Sequence, residues 1–243
     1  MLNSWRFSPI YFTFVKSGLQ IMNEIVETKD GSHSLKSDKF NQTYHSVHGA
    51  IAESEHVFIE AGLNFASKNK DELTIFEMGF GTGLNAFLTA VHGSDQKLKI
   101  HYETIEQFPV QTHQIEGLNY GELIEKGQHA ALFKAIHQTE WEKATPLNKY
   151  FTMLKKQCSL TDYRSEPDVV DIIYFDAFSP NAQPELWTVD IFRQMLSMLR
   201  KGGVLVTYCC KGVVRRAMQE AGFEVEKLAG PPGKREMIRA TKP

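Results

Sequence analysis

The sequence predicts an α/β fold, an open and mostly parallel sheet with helices on both faces. Three observations carry that expectation. Strand-like and helix-like segments alternate along the chain, as in connected βαβ units. A glycine cluster, Gly79-Phe80-Gly81-Thr82-Gly83, sits between a short apolar run and an apolar helical pattern. The stretch 169–176 is a nearly continuous apolar run, the composition of a central strand buried on both faces.

Taken in order, residues 22–43 read as a short strand, a turn at Asp30-Gly31 and a polar connection. Ser46 precedes a helical pattern with Val47, Ala50, Ile51, Ser54, Phe58, Ala61 and Phe65 on one face. Residues 73–78 form a strand, the glycines a tight loop, and a helix starts at Leu84. Residues 98–106 alternate with period two, hence a half-buried strand. The stretch 110–140 is helical but irregular. Residues 190–200 read as a helix stopped by Gly202-Gly203, 204–210 as a buried strand and 212–221 as a helix. Two strands, 223–228 and 237–240, close the pattern. Residues 22–243 are expected to form a single domain with an N-terminal segment, 22–70.

The composition supports a globular core. Of 243 residues, 42% are hydrophobic and 23% charged, which excludes collagen, a long acidic tail and a disulfide miniprotein. No run approaches the roughly 18 apolar residues of a membrane span. Arg6 and Lys16 interrupt the aromatic N-terminus and no small-residue cleavage site follows, unlike a signal peptide. Cys158, Cys209 and Cys210 form neither a disulfide framework nor a zinc ladder, which suits a reducing cytoplasm. Charge is uneven: from Arg200 onward ten Lys/Arg face four Asp/Glu, whereas the preceding residues carry 17 against 25. A basic end suits an anionic partner, although charge runs are commonly solvated faces.

The glycine loop suggests the ligand. Glycines at the end of a strand let the backbone turn sharply and approach a bound molecule. The spacing is G-x-G-x-G, preceded by Glu77, and differs from the G-x-G-x-x-G of dinucleotide enzymes. An acid just before the loop suits a cationic ligand, and S-adenosylmethionine carries sulfonium and ammonium charges. Glu106, ending the next strand, stands where an acid reaches the hydroxyls of a ribose. Asp176 ends the apolar run and is followed by Ala177-Phe178-Ser179-Pro180. A carboxylate at that end of a central strand lies in the ligand crevice, where it can take a proton from an amine; capping the next turn is the plain alternative. Phe178 would give a flat apolar wall.

These residues carry a family likeness. FEMGFGTGLNAFL, IEQFPV, YFDAFSPNAQPELW, GGVLVTYCCKGVVRRAMQEAGF and GPPGKREM, with YHSVHGAIAESEHVFI nearer the N-terminus, resemble the methyltransferase part of the tRNA 5-methylaminomethyl-2-thiouridine biosynthesis family (MnmC/MnmD). The likeness spans roughly residues 22–240 in order. It implies a class I methyltransferase fold that uses S-adenosyl-L-methionine to methylate the aminomethyl group on the wobble uridine of tRNA. Asp176 would be the catalytic aspartate. Glu77, Gly79, Gly81, Thr82 and Gly83 would form the cofactor loop, and Glu106 would be the ribose acid. Tyr44 and Glu53, inside the N-terminal block, would line the pocket, with a solvated helix face as the alternative for Glu53. The adenine contact falls among Gln157, Cys158, Ser159 and Asp162. Bifunctional relatives carry an FAD-dependent oxidase domain after this part. This chain resembles the stand-alone form, expected to need neither flavin nor metal. Residues 1–21 have no counterpart in the family and are expected to derive from an upstream start codon, with Met22 the natural start.

Arg215, Arg216, Lys234 and Arg235 are the candidate tRNA phosphate contacts. Pairing of Arg215 and Arg216 with helix acids such as Glu220 is the alternative. His45, His48 and His56 crowd one region without carboxylates at metal spacing. Tyr208 reads as core or as a wall for the uridine. Two other readings are weighed: a methyltransferase of the same fold acting on a small amine, and a silent RNA-binding scaffold. A requirement for tRNA separates the first, and failure to bind S-adenosylmethionine would favour the second.

Overall fold

The computed structural model describes residues 23–243, and the expected N-terminal extension, residues 1–21, lies outside them. Eight strands form the main sheet. In chain order the parallel ones are β4 (Glu72–Met78), β5 (Lys99–Ile105), β7 (Phe151–Lys156), β8 (Val170–Phe175) and β9 (Leu199–Thr207). Short β6 (Thr145–Pro146) and the hairpin β10 (Glu224–Ala229) and β11 (Glu236–Thr241) run antiparallel at the edges. Across the sheet the order is β10-β11-β9-β8-β4-β5-β7-β6. β4 pairs with β5 on one side and β8 on the other, so strand order reverses beside it. That reversal opens a crevice at the carboxyl ends of β4 and β8.

Both faces are covered, as the alternating pattern requires. On one face lie α1 (Ala50–Ser54), its continuation Glu55–Leu63, α2 (Leu84–Asp95) and α3 (Ala130–Gln138). On the other lie α4 (Val189–Met198) and α5 (Gly212–Ala221). The reason for α5 is plain in its sequence: Val214, Ala217, Met218 and Ala221 recur at helical spacing and are buried. Gly222 then ends it at φ 109°, a left-handed cap that glycine adopts readily. Thr188 caps α4 by accepting the Ile191 N–H through its side chain.

Four expectations need correction. The helix near Ser46 starts later, at Ala50, and Val47 is 50% exposed because it lies in the preceding loop. From Glu55 to Leu63 the helix is a wider π-helix, and Gly62 lets it press against Tyr174 and Val206. Gly202 and Gly203 do not stop α4, which ends at Met198. They lie inside β9, where the register with β8 shifts between Val170 and Ile172, and a Cβ on Gly203 would meet the Arg200 and Asp171 carbonyls at 2.8 and 3.0 Å. Strand β9 also ends at Thr207, short of the cysteines.

A second, antiparallel sheet of β1 (Glu24–Glu27), β2 (His33–Ser37) and β3 (Gln42–Thr43) occupies the stretch read as strand, turn and polar connection. Gly31 makes the expected turn at φ 81°. Asp30 ties it to α1, accepting from the Thr28 hydroxyl (2.7 Å) and the Ala52 N–H (3.0 Å). Among the described residues no helix is long and apolar enough to cross a membrane.

Candidate active site

The crevice floor is a continuous row of main-chain hydrogen bonds. Asp176 N–H donates to the Met78 carbonyl (3.0 Å), Gly79 N–H to Ile105 (3.1 Å) and Glu106 N–H to Lys156 (3.0 Å). The ends of four strands, β8, β4, β5 and β7, are therefore locked together, and Asp176 and Glu106 are placed on either side of the glycine loop. Gly79, Gly81 and Gly83 adopt φ of 94°, 51° and 73°, which side chains rarely tolerate. A Cβ on Gly79 would stand 2.7 Å from the Asp176 carbonyl, and one on Gly81 3.0 Å from the Tyr44 ring. The loop is glycine-rich because backbone and aromatic ring crowd it on two sides.

Glu106 accepts the N–H of Gly81 (3.1 Å) and of Phe108 (2.8 Å). Burial raises its pKa, and those two amides oppose the rise. Thr82 is buried in the same loop, with its side chain beside Tyr120. Glu77 departs from expectation: it does not line the cavity. Successive strand side chains point to opposite faces, so while Met78 meets the crevice, Glu77 turns beneath α2 beside Tyr102, Thr104 and Asn85. It is 0% exposed, and burial pushes its pKa up to about 8 against the opposing pull of the neighbouring Thr104, Asn85 and Tyr102 side chains.

Across the floor, Asn85 donates to Asp176 Oδ2 (2.8 Å). Burial, with Glu53 nearby as the next cause, raises Asp176 to about 7. Phe178 stacks on Phe40 (centroids 4.5 Å apart) and meets Tyr44 edge-on at 5.0 Å. Gln42 holds this shelf in place: its amide donates to the Ser179 hydroxyl (2.8 Å) and its oxygen accepts the Ser179 N–H (3.3 Å). The resulting cavity, about 700 Å³, joins the glycine loop, Glu106, Asp176 and this aromatic shelf.

Residues 125–243 match a family described as S-adenosyl-L-methionine-dependent methyltransferase. The match covers 119 of the 243 residues, just under half of the chain. Over 219 residues the chain is 30% identical to the tRNA 5-methylaminomethyl-2-thiouridine biosynthesis bifunctional protein MnmC of Ralstonia nicotianae, covering 85% of this chain and 33% of that protein. The MnmC of Aliivibrio fischeri is 28% identical over 241 residues, covering 91% and 35%. The chain therefore spans about a third of the length of these relatives. The crystal structure of MNMC2 from Aquifex aeolicus shares its fold with a TM-score of 0.75 at 24% identity, covering 92% of this chain and 71% of that one. Spermidine synthase from Thermotoga maritima shares it more distantly, with a TM-score of 0.57 at 12% identity over 90% and 68% of the two chains.

The residues present fit S-adenosyl-L-methionine. A bare backbone cradle and an acid tethered to it lie along one wall of the cavity. Cys158, Ser159 and Asp162 line the same cavity, whereas Gln157 does not and instead donates its N–H to Glu142. Tyr44, Glu53 and Lys234 also line it. Glu53 is 5% exposed, not on a solvated face, and it binds the Ser46 N–H and Lys234. Lys234 therefore sits within the crevice mouth rather than free on the surface.

The remaining basic candidates stand apart. Arg215 is half-buried, Arg216 and Arg235 are exposed, and none of the three lines the cavity. Glu220, offered as their partner, lies 4.0 Å from Arg193 of α4 instead. The three histidines diverge: His45 packs against Ser34 and Tyr120, His56 bonds Ala229 and Glu60, and His48 lies against Gly233. Asn85, Phe40 and Gln42 also belong to the site, although their positions in the sequence do not mark them as such. Asn85, two positions after the last glycine, comes closest to being legible; Phe40 lies in a stretch read as polar.

Proposed function

We propose that this methyltransferase transfers a methyl group from S-adenosyl-L-methionine to the aminomethyl group on the wobble uridine of tRNA, giving 5-methylaminomethyl-(2-thio)uridine. The observation that carries the reading is Asp176, held by Asn85 at the end of a central strand, beside an aromatic shelf and across from the cofactor cradle. The 5-methylaminomethyl-2-thiouridine biosynthesis for which the MnmC relatives are named supports the choice of acceptor.

The cofactor supplies an electrophilic methyl group on a sulfonium that leaves as a neutral thioether. Backbone amides around Gly79–Gly83 and the Glu106 carboxylate orient it. The Phe178 and Tyr44 rings offer flat surfaces for the uracil. An amine nitrogen attacks only through a free lone pair, and the new N–C bond forms as the C–S bond breaks, so one proton must leave the nitrogen. Asp176, raised to about 7, is matched to accept it near neutral pH. Arg215, Arg216 and Arg235 would meet the phosphates outside the crevice. The setting is cytoplasmic, where tRNA is, and residues 22–243 act as a single domain.

Mass spectrometry of nucleosides tests this, after incubating the protein with the cofactor and tRNA carrying aminomethyluridine. A methyl gain on that nucleoside, lost in Asp176→Ala, is expected. Cofactor binding without methyl gain would move the acceptor to another amine.

A further inference from the structure

The crevice mouth holds an arrangement that the transfer as described does not use. The Lys234 ammonium forms an ion pair with Glu53 and lies 3.8 Å from the centroid of the Tyr208 ring. Glu53 is fixed from its other side by the Ser46 N–H at 2.8 Å. Tyr208 is fixed by donating its hydroxyl proton to the carbonyl of Ala177 (2.9 Å), the residue after Asp176. All three side chains line the cavity that contains Asp176.

A buried carboxylate beside an aromatic face is the chemistry that binds an alkylammonium, through a charge-assisted hydrogen bond and a cation–π contact. Lys234 ends in a primary alkylammonium, the same group as a protonated aminomethyl substituent. It belongs to the loop between β10 and β11, so it can leave without disturbing the sheet. With Lys234 withdrawn, this part of the cavity keeps two carboxylates, Glu53 and Asp176, and favours a cation more strongly.

We propose that Glu53 and Tyr208 form the docking site for the protonated amine of the acceptor, and that Lys234 fills it as an internal surrogate until the acceptor displaces it. This rests on the amine-methylation reading above. The amine arrives as the cation that predominates at neutral pH, is held by Glu53, and passes its proton to Asp176 before attack. Glu53 is therefore a specificity residue. Lys234, once displaced, is released toward the phosphates of the bound RNA.

The test uses Glu53→Gln and Lys234→Met in the full chain. Steady-state methylation of aminomethyluridine tRNA and calorimetric binding of n-butylammonium, with S-adenosylhomocysteine present, are measured for each. Glu53→Gln is expected to raise the acceptor KM at least tenfold, with kcat and S-adenosylhomocysteine affinity within threefold. Lys234→Met is expected to bind n-butylammonium at least tenfold more tightly than the unaltered chain, in competition with tRNA, and to lose that binding when Glu53→Gln is added. A fall in kcat at unchanged KM, or no gain of amine binding in Lys234→Met, overturns the proposal. If Glu53→Gln fails to fold, the Lys234→Met arm decides alone. If the unaltered chain methylates no tRNA, the acceptor reading fails, whereas the amine-binding arm still decides whether Glu53 and Tyr208 hold an alkylammonium.

Discussion

The wall of the crevice under Gly79–Gly83 and the wall around Asp176 share one floor but are made of different material. The first is mainly backbone from a single stretch of chain, plus one acid from the adjacent strand. The second is side chain from four distant stretches: Gln42 bonds Ser179 across 137 positions, Asn85 bonds Asp176 across 91, and Lys234 pairs with Glu53 across 181. Holding a cofactor common to many enzymes can be left to main chain. Selecting one acceptor calls for chemistry that main chain lacks.

The largest expected effect comes from separating the two walls. Asp176→Asn keeps the size and one hydrogen bond but cannot take a proton, and kcat should fall about 10²- to 10⁴-fold. Calorimetry should find S-adenosylhomocysteine affinity within threefold of the unaltered chain; a parallel loss of affinity would mean that the walls act as one. Gly79→Ala should breach both together. Its Cβ would meet the Asp176 carbonyl at 2.7 Å in a backbone held at φ 94°, costing about 2–4 kcal/mol and lowering the melting temperature by several degrees. Cofactor affinity and turnover should both suffer, and a variant that loses only one would contradict the shared floor.

Smaller effects follow from two of the raised acids, Asp176 and Glu77. With Asp176 at about 7, its carboxylate form is lost as pH falls, so kcat/KM should decline about tenfold per unit below that point and level off above it. A flat profile from pH 6 to 8 would remove Asp176 as proton acceptor. Glu77 bears on stability instead. Its folded pKa of about 8 lies above the ordinary 4.5, so the folded state holds the proton more tightly and stability drops as pH rises between those values. Glu77→Gln should therefore melt higher at pH 8, by roughly 1–3 kcal/mol, with the gap closing toward pH 5. Melting curves at both pH values check this, and an equal shift at each would refute the assignment.

The same division explains what could be read from the sequence. The glycine loop, Glu106 and Asp176 mark the ends of β4, β5 and β8, whose apolar runs are local signals. Strand β7 left no such signal, because Lys155 takes a core position: it is 1% exposed, and donates to the carbonyls of Ile136 and His137. Glu53 read equally well as solvated, since the lysine and the loop amide that bury it belong to other segments of the chain. Gly202 and Gly203 looked like a helix stop because a bulge and a cap ask for the same residue. Glu77 was legible as an acid before the loop, but the direction of its side chain depended on strand phase.

The paired bonds between Gln42 and Ser179 have a consequence for timing. Among the described residues the small sheet β1–β3 shares no hydrogen-bonded ladder with the main one, so its hold over the crevice depends on side chains such as these. The floor, by contrast, opens only if parallel strands part. Hydrogen exchange should therefore proceed through the β1–β3 amides hours before it reaches those of β4 and β8. On the proposed reaction, departure of spent cofactor and product would then be a matter of how often that roof breathes, and a loosened Gln42 should shorten the wait between turnovers.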